Sequence, residues 1–249
     1  MTRPGAGTLG ALLALATLAV WLLLHPLPWP ARAFATLLSA PLPALMILQA
    51  RILDEIPEDT EREAVYISSA TSIWILAALA MLAARFSDFT RISLRVVPLA
   101  PVELLLAAGA TTLVGLGVMA AGRLLKVPDG ALVDFLIPRT TTEKIAFAGL
   151  SVSAGIGEEL VFRSFLIAAL HAASGSLPLA VTAGVAVFAL SHAYQGILGV
   201  VRVALLGLVL TAPFLLTGSV YPSIVAHVAL DLIAGLVLAD WLRGAPGDR

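Results

Sequence analysis

The chain has no cysteine, which excludes disulfides, iron–sulfur clusters, thiolate zinc sites and a cysteine nucleophile. Charge is scarce as well: only 12% of its 249 residues are Asp, Glu, Lys or Arg, against about 25% in soluble domains. So few charges cannot cover a water-facing surface, and a soluble enzyme is excluded. A net charge of −1 supplies no basic field, so nucleic acid is not an expected partner. The strict polar/apolar alternation of a membrane barrel is absent, as are an internal repeat and an HExxH zinc motif. What is present is apolar: 59% of residues are hydrophobic and mean hydropathy is +0.99, which also excludes disorder.

The apolar residues come in long uncharged runs. Thr8–Leu24, Ala33–Ala50, Ala64–Ala84, Leu104–Gly122, Ser164–Val201 and Val203–Leu230 contain no Asp, Glu, Lys or Arg. A spanning helix needs roughly 20 apolar residues, and lipid leaves no water for backbone groups, so the runs are expected to be helices. The fold class is therefore an all-α, polytopic transmembrane bundle of about eight helices. They are expected near Thr8–Leu24, Phe34–Ala50 (kinked by Pro41 and Pro43), Ala64–Ala84, Leu99–Ala121, Ile145–Ala172, a sixth ending near Tyr194, Ile197–Leu216 and Tyr221–Trp241. Ser174-Gly175-Ser176 with Pro178 marks the turn before the sixth. The connector with Asp54, Glu55, Glu58, Asp59, Glu61 and Glu63 reads as solvated, and Gly109, Gly115, Gly117 and Gly122 as helix-packing residues. Arg3, the first run and Ala31-Arg32-Ala33 imitate a signal peptide, but the run is longer than a usual one and reads as a retained helix.

Lys and Arg distribution gives the orientation. With eight crossings and the N-terminus inside, Arg3, Arg51, Arg62, Arg123, Lys126, Arg139, Lys144, Arg243 and Arg249 are cytoplasmic, and Arg32, Arg85, Arg91 and Arg95 face out. Nine against four places both termini in the cytoplasm. The expected location is a prokaryotic cytoplasmic membrane, with membrane lipid as one partner. Two parts are expected: N-terminal helices over 1–127 with no assigned function, and a core over 128–249 that carries the chemistry.

Ionisable groups at membrane depth cost about 2.5–3.5 kcal/mol each and are functional candidates by default. The fifth helix holds Glu158, Glu159 and Arg163, the sixth ends near His192, and the eighth holds His227 and Asp231. The first half has only Glu103 inside a run. Glu159 and Arg163 are i,i+4 with the acid first, the favourable order for an ion pair. Glu158 points about 100° away and need not share that pair. Two adjacent carboxylates in unequal surroundings can divide acid–base and structural roles. Glu158, His192, His227 and Asp231 can converge from three helices on one cavity, and a Glu with two His suffices to activate water and hold an oxyanion.

These residues resemble the motifs of the CAAX prenyl protease and bacteriocin-processing family. Glu158-Glu159-Leu-Val-Phe-Arg163 resembles its EExxxR motif, Phe188-Ala-Leu-Ser-His192 its FxxxH motif, and His227-Val-Ala-Leu-Asp231 its HxxxN or HxxxD motif, in the expected order. Tyr194-Gln195-Gly196 is a common continuation of the second motif in that family. The resemblance implies an intramembrane glutamic endopeptidase acting on a membrane-anchored protein or peptide. It implies that Glu158 and His192 activate water, that Glu159 and Arg163 support the site, and that His227 and Asp231 stabilise the oxyanion. No tightly required metal or other cofactor is implied, although a zinc site on Glu158, His192 and His227 is open by donor type. Two positions depart from the pattern: Ser164 stands where Gly is frequent, and Asp231 where eukaryotic prenyl proteases carry Asn. An ionised Asp cannot donate to an oxyanion, so Asp231 is either protonated or orients His227. The rival readings are a non-catalytic scaffold or bacteriocin-immunity factor of the same fold, and a proton-coupled membrane carrier.

Overall fold

A computed structural model describes residues 6–52, 60–125, 134–239 and 241 of the chain. Asp54, Glu55, Glu58 and Asp59 of the acidic connector, and Arg3, Lys126, Arg243 and Arg249 of the orientation count, lie outside the described residues. Eight helices run through the described part. They are α1 (Ala6–Leu23), α2 (two halves, Trp29–Ser39 and Pro41–Ile52), α3 (Arg62–Arg85), α4 (Pro101–Leu124), α5 (Thr141–Ser174), α6 (Leu177–Leu190), α7 (Gly196–Thr217) and α8 (Tyr221–Val237). Five stretches are long and apolar enough to cross a membrane: Trp29–Gln49, Arg62–Arg85, Pro101–Leu124, Thr141–Ser174 and Ala193–Thr217. The architecture is the polytopic helical bundle that the uncharged runs imply.

The helices are inside out by the standards of a soluble protein. Leu12, Leu15, Leu18 and Leu22 of α1, and Val102, Leu105, Leu106 and Leu113 of α4, are all more than half exposed, as a lipid-facing band requires. The packed side of α3 is a row of small residues, Ala77, Ala80, Ala83 and Ala84, which lets α5 approach closely. Phe34 of α2 meets Phe165 of α5 edge to face at 5.4 Å, so helices from both halves of the chain share one core. α8 lies against α4 and α5, and the second half of α2 lies against the turn Ala193–Gln195.

Local chemistry fixes the ends. Pro41 and Pro43 carry no N–H, and α2 breaks at Ala40, as their positions predict. α4 starts at Pro101, where a missing N–H costs nothing. α5 starts four residues before the expected Ile145, because Thr140 and Glu143 form a capping box. The Thr140 hydroxyl accepts from Glu143 N at 3.1 Å, and the Glu143 carboxylate accepts from Thr140 N at 3.0 Å and from Arg139 N. Arg62 Nη1 pairs with Glu143 at 3.4 Å and its Nε donates to Phe135 O at 2.7 Å, while Tyr66 Oη donates to Leu136 O at 3.0 Å. At the opposite helix ends, Arg95 Nη1 donates to Phe214 O at 2.7 Å and Ser219 Oγ to Val97 O at 2.7 Å. Ion pairs and polar ties of this kind gather at the ends of α3, α4, α5, α7 and α8.

α5 has 34 residues, about 50 Å of helix, which exceeds the roughly 30 Å hydrocarbon core. Glu158 stands near its midpoint, where the helix widens into a π-helical stretch, Glu159–Leu166. A second π-helical turn, Ile233–Val237, follows Asp231 in α8. Such turns are frequent at functional sites. Of the four glycines expected to pack α4, only Gly115 does so: a Cβ there would sit 2.7 Å from Leu230 Cδ1. Gly109, Gly117 and Gly122 have nothing within 4 Å, because they lie on faces of α4 turned away from its neighbours. The tight approach is made instead by Gly155 of α5, where a Cβ would stand 2.9 Å from the backbone N of Val228.

Candidate active site

Three helices deliver the polar groups. α5 supplies Glu158, Glu159 and Arg163, the turn after α6 supplies His192, and α8 supplies His227 and Asp231. Gly155 is one turn before Glu159 and touches Val228, the neighbour of His227. The missing Cβ therefore brings α5 and α8 to the separation at which Glu159 reaches His227.

The groups divide into a closed side and an open side. Glu159 is 0% exposed and Arg163 2%. Glu159 Oε1 is the node of the closed side, 3.0 Å from Arg163 Nη1 and 2.8 Å from His227 Nδ1. Arg163 Cζ lies 4.1 Å over the Phe188 ring, and its Nη2 donates to Gly207 O at 3.4 Å. A Cβ at Gly207 would come within 3.2 Å of Phe188 Cδ1 and 3.6 Å of Arg163 Nη2, so the glycine eases this close approach. Ser164, the small residue after the motif Arg, is fully buried. Unpaired, any of these charges would cost several kcal/mol to bury; together with the cation–π contact they hold the three helices in one register.

On the open side Glu158 Oε2 faces His192 Nε2 at 3.9 Å, with side chains 17% and 15% exposed. That separation is too long for a direct hydrogen bond and suits one bridging water. His192 Nδ1 lies 2.9 Å from Phe188 O. A carbonyl only accepts, so Nδ1 carries a proton, and Nε2 is the ring atom turned towards Glu158. Phe188 also packs its ring edge to face on His192 at 4.8 Å and on Phe162 at 5.1 Å, which fixes the imidazole plane. Asp231 Oδ2 is 3.8 Å from His227 Nε2 and its side chain is 35% exposed.

All six residues singled out in the sequence thus join one chain of contacts, running from His192 through Glu158, the adjacent Glu159 with Arg163, and His227 to Asp231. Orienting His227, one of the two roles open to Asp231, falls to Glu159. Glu159, not Asp231, takes the Nδ1 hydrogen bond, and Asp231 sits beyond hydrogen-bond range. No local signal announces this bond, because 68 residues separate its two ends. The sixth helix stops before the expected Tyr194. α6 ends at Leu190, and His192 follows in a turn that Ala193–Gln195 and Gly196 (φ 77°) complete. Among the described residues no three His, Asp or Glu side chains are grouped to hold a metal ion.

Residues 140–233 match the sequence family described as Type II CAAX prenyl endopeptidase Rce1-like. This segment is similar to the CAAX prenyl protease family. The match takes in all six polar residues and leaves α1–α4 outside it. At family level the segment is that of a protease-type enzyme built into the membrane. No curated protein and no solved structure matches the chain.

Proposed function

We propose that this protein is an intramembrane endopeptidase that hydrolyses a peptide bond in a membrane-anchored, lipidated or hydrophobic-tailed, protein or peptide. The observation that carries the reading is the Glu158–His192 pair, 3.9 Å apart, partly open, and fixed from behind by Phe188. A water between them donates to both. Glu158 takes one of its protons as the water oxygen bonds to the scissile carbonyl carbon, and the carbonyl oxygen takes up the π electrons. The carbon–nitrogen bond then breaks, and Glu158 returns the proton to the leaving nitrogen. Glu159 and Arg163 hold the frame, and His227 faces the region where the oxyanion forms. The site lies about 25 Å along α5 from its start, near bilayer midplane, so water must reach it from the open side. The charge count supports a cytoplasmic location for both termini.

The test is a comparison of peptide termini, by mass spectrometry, in cell membranes carrying the native protein or Glu158→Ala at equal amounts. Termini found only with the native protein are expected, and their sequences define the substrate. Identical termini in both would replace the protease by a scaffold or carrier of the same fold. Chelation is the second arm: lost cleavage restored by zinc would make Glu158, His192 and His227 metal ligands rather than the direct activators of water.

A further inference from the structure

Resting on the protease reading, we propose that Tyr194 is a further catalytic residue whose phenolic O–H donates to the developing oxyanion. The need for such a donor follows from an inventory of the site. His192 Nδ1 is committed to Phe188 O, and His227 Nδ1 to Glu159. Arg163 is buried and engaged by Glu159, Phe188 and Gly207. Asp231 ends the third motif with a carboxyl group in place of an amide, and in its ionised form it only accepts. At most the Nε2 of His227 is left, and it already faces Asp231. An oxyanion in a water-poor site is usually met by more than one fixed donor.

Tyr194 fills that gap. Its ring lies 5.7 Å from the His192 ring, and it stands within electrostatic reach of both Glu158 and Asp231. Its oxygen accepts from Gln195 Nε2 at 3.5 Å, which leaves the O–H to donate. The residue is held in place: it sits in the short turn Ala193–Gln195, which Gly196 closes with φ 77° and which the second half of α2 packs against. A phenol, which keeps its proton at neutral pH, is a suitable donor in the neighbourhood of Glu158 and Asp231. As the water oxygen bonds to the carbonyl carbon, the negative charge appears on the carbonyl oxygen, and the phenol hydrogen-bonds to it without giving up its proton.

The experiment uses the full-length protein in membranes and follows the rate at which native-dependent peptide termini form. Tyr194→Phe keeps the ring and removes the donor, and a rate fall of about 10²–10³-fold is expected. Combining it with Asp231→Asn, whose amide donates, is expected to recover at least about tenfold of that loss. A native rate in Tyr194→Phe would overturn the inference and leave the protease reading intact. A loss that Asp231→Asn does not recover would mark Tyr194 as merely structural and overturn it as well. If the native protein forms no termini beyond those of Glu158→Gln, the protease reading itself fails and the inference with it.

Discussion

Glu158 and Glu159 are adjacent in sequence, yet one faces the open side of the site and the other is sealed in its closed side. The closed side is buried, with an ion pair at 3.0 Å and a hydrogen bond at 2.8 Å, whereas the open side has a separation of 3.9 Å and partly exposed groups. Tight, buried charge holds helices in register; looser, partly exposed charge leaves room for a bridging water. The protein therefore places similar residue types in a sealed, helix-tying cluster on one side of α5 and in a partly open one on the other, where the proposed chemistry would take place.

Breaking the closed side is expected to damage the fold most. Arg163→Met leaves Glu159 buried without its cation, and a stability loss of about 3–5 kcal/mol is expected, read as a lower melting temperature of the detergent-solubilised protein. Gly155→Ala pushes a methyl group against the Val228 backbone and separates α5 from α8, with an expected cost of about 1–3 kcal/mol and a matching fall in cleavage. Smaller still is Glu143→Ala, remote from both sides, which removes the capping box and the Arg62 pair. It should cost about 0.5–2 kcal/mol while leaving the cleavage rate of the folded protein unchanged. Smallest is Gly109→Ala, whose added methyl group meets only lipid and should shift stability by no more than about 0.5 kcal/mol. A large loss there would mean that α4 packs against something beyond the bundle.

The bundle and the motif residues were legible from sequence because both are local signals. Uncharged runs reveal spans, and charges at i and i+4 reveal shared helix faces. Pro41 and Pro43 likewise announced the break in α2. Less was legible where structure depends on distant partners. Nothing in the chain near Glu159 says that His227 will be its acceptor's second partner, and nothing near Gly155 names Val228. The start of α5 was readable but missed: Thr140-Thr141-Thr142-Glu143 carries the capping-box spacing, while hydropathy alone begins the helix at Ile145. The α4 glycines were over-read, since small residues pack helices only on the face that meets a neighbour.

The division of labour between the two carboxylates is tested most directly by Glu158→Gln and Glu159→Gln side by side, measuring thermal unfolding and native-dependent cleavage for each. Glu158→Gln should keep the native melting temperature within about 1–2 °C and lose at least about 10²-fold in cleavage rate. Glu159→Gln should lower the melting temperature by several degrees, because Arg163 loses its counter-charge. A stable Glu159→Gln protein with native cleavage, or a Glu158→Gln protein that cleaves at the native rate, would contradict the assignment of chemistry to one carboxylate and architecture to the other.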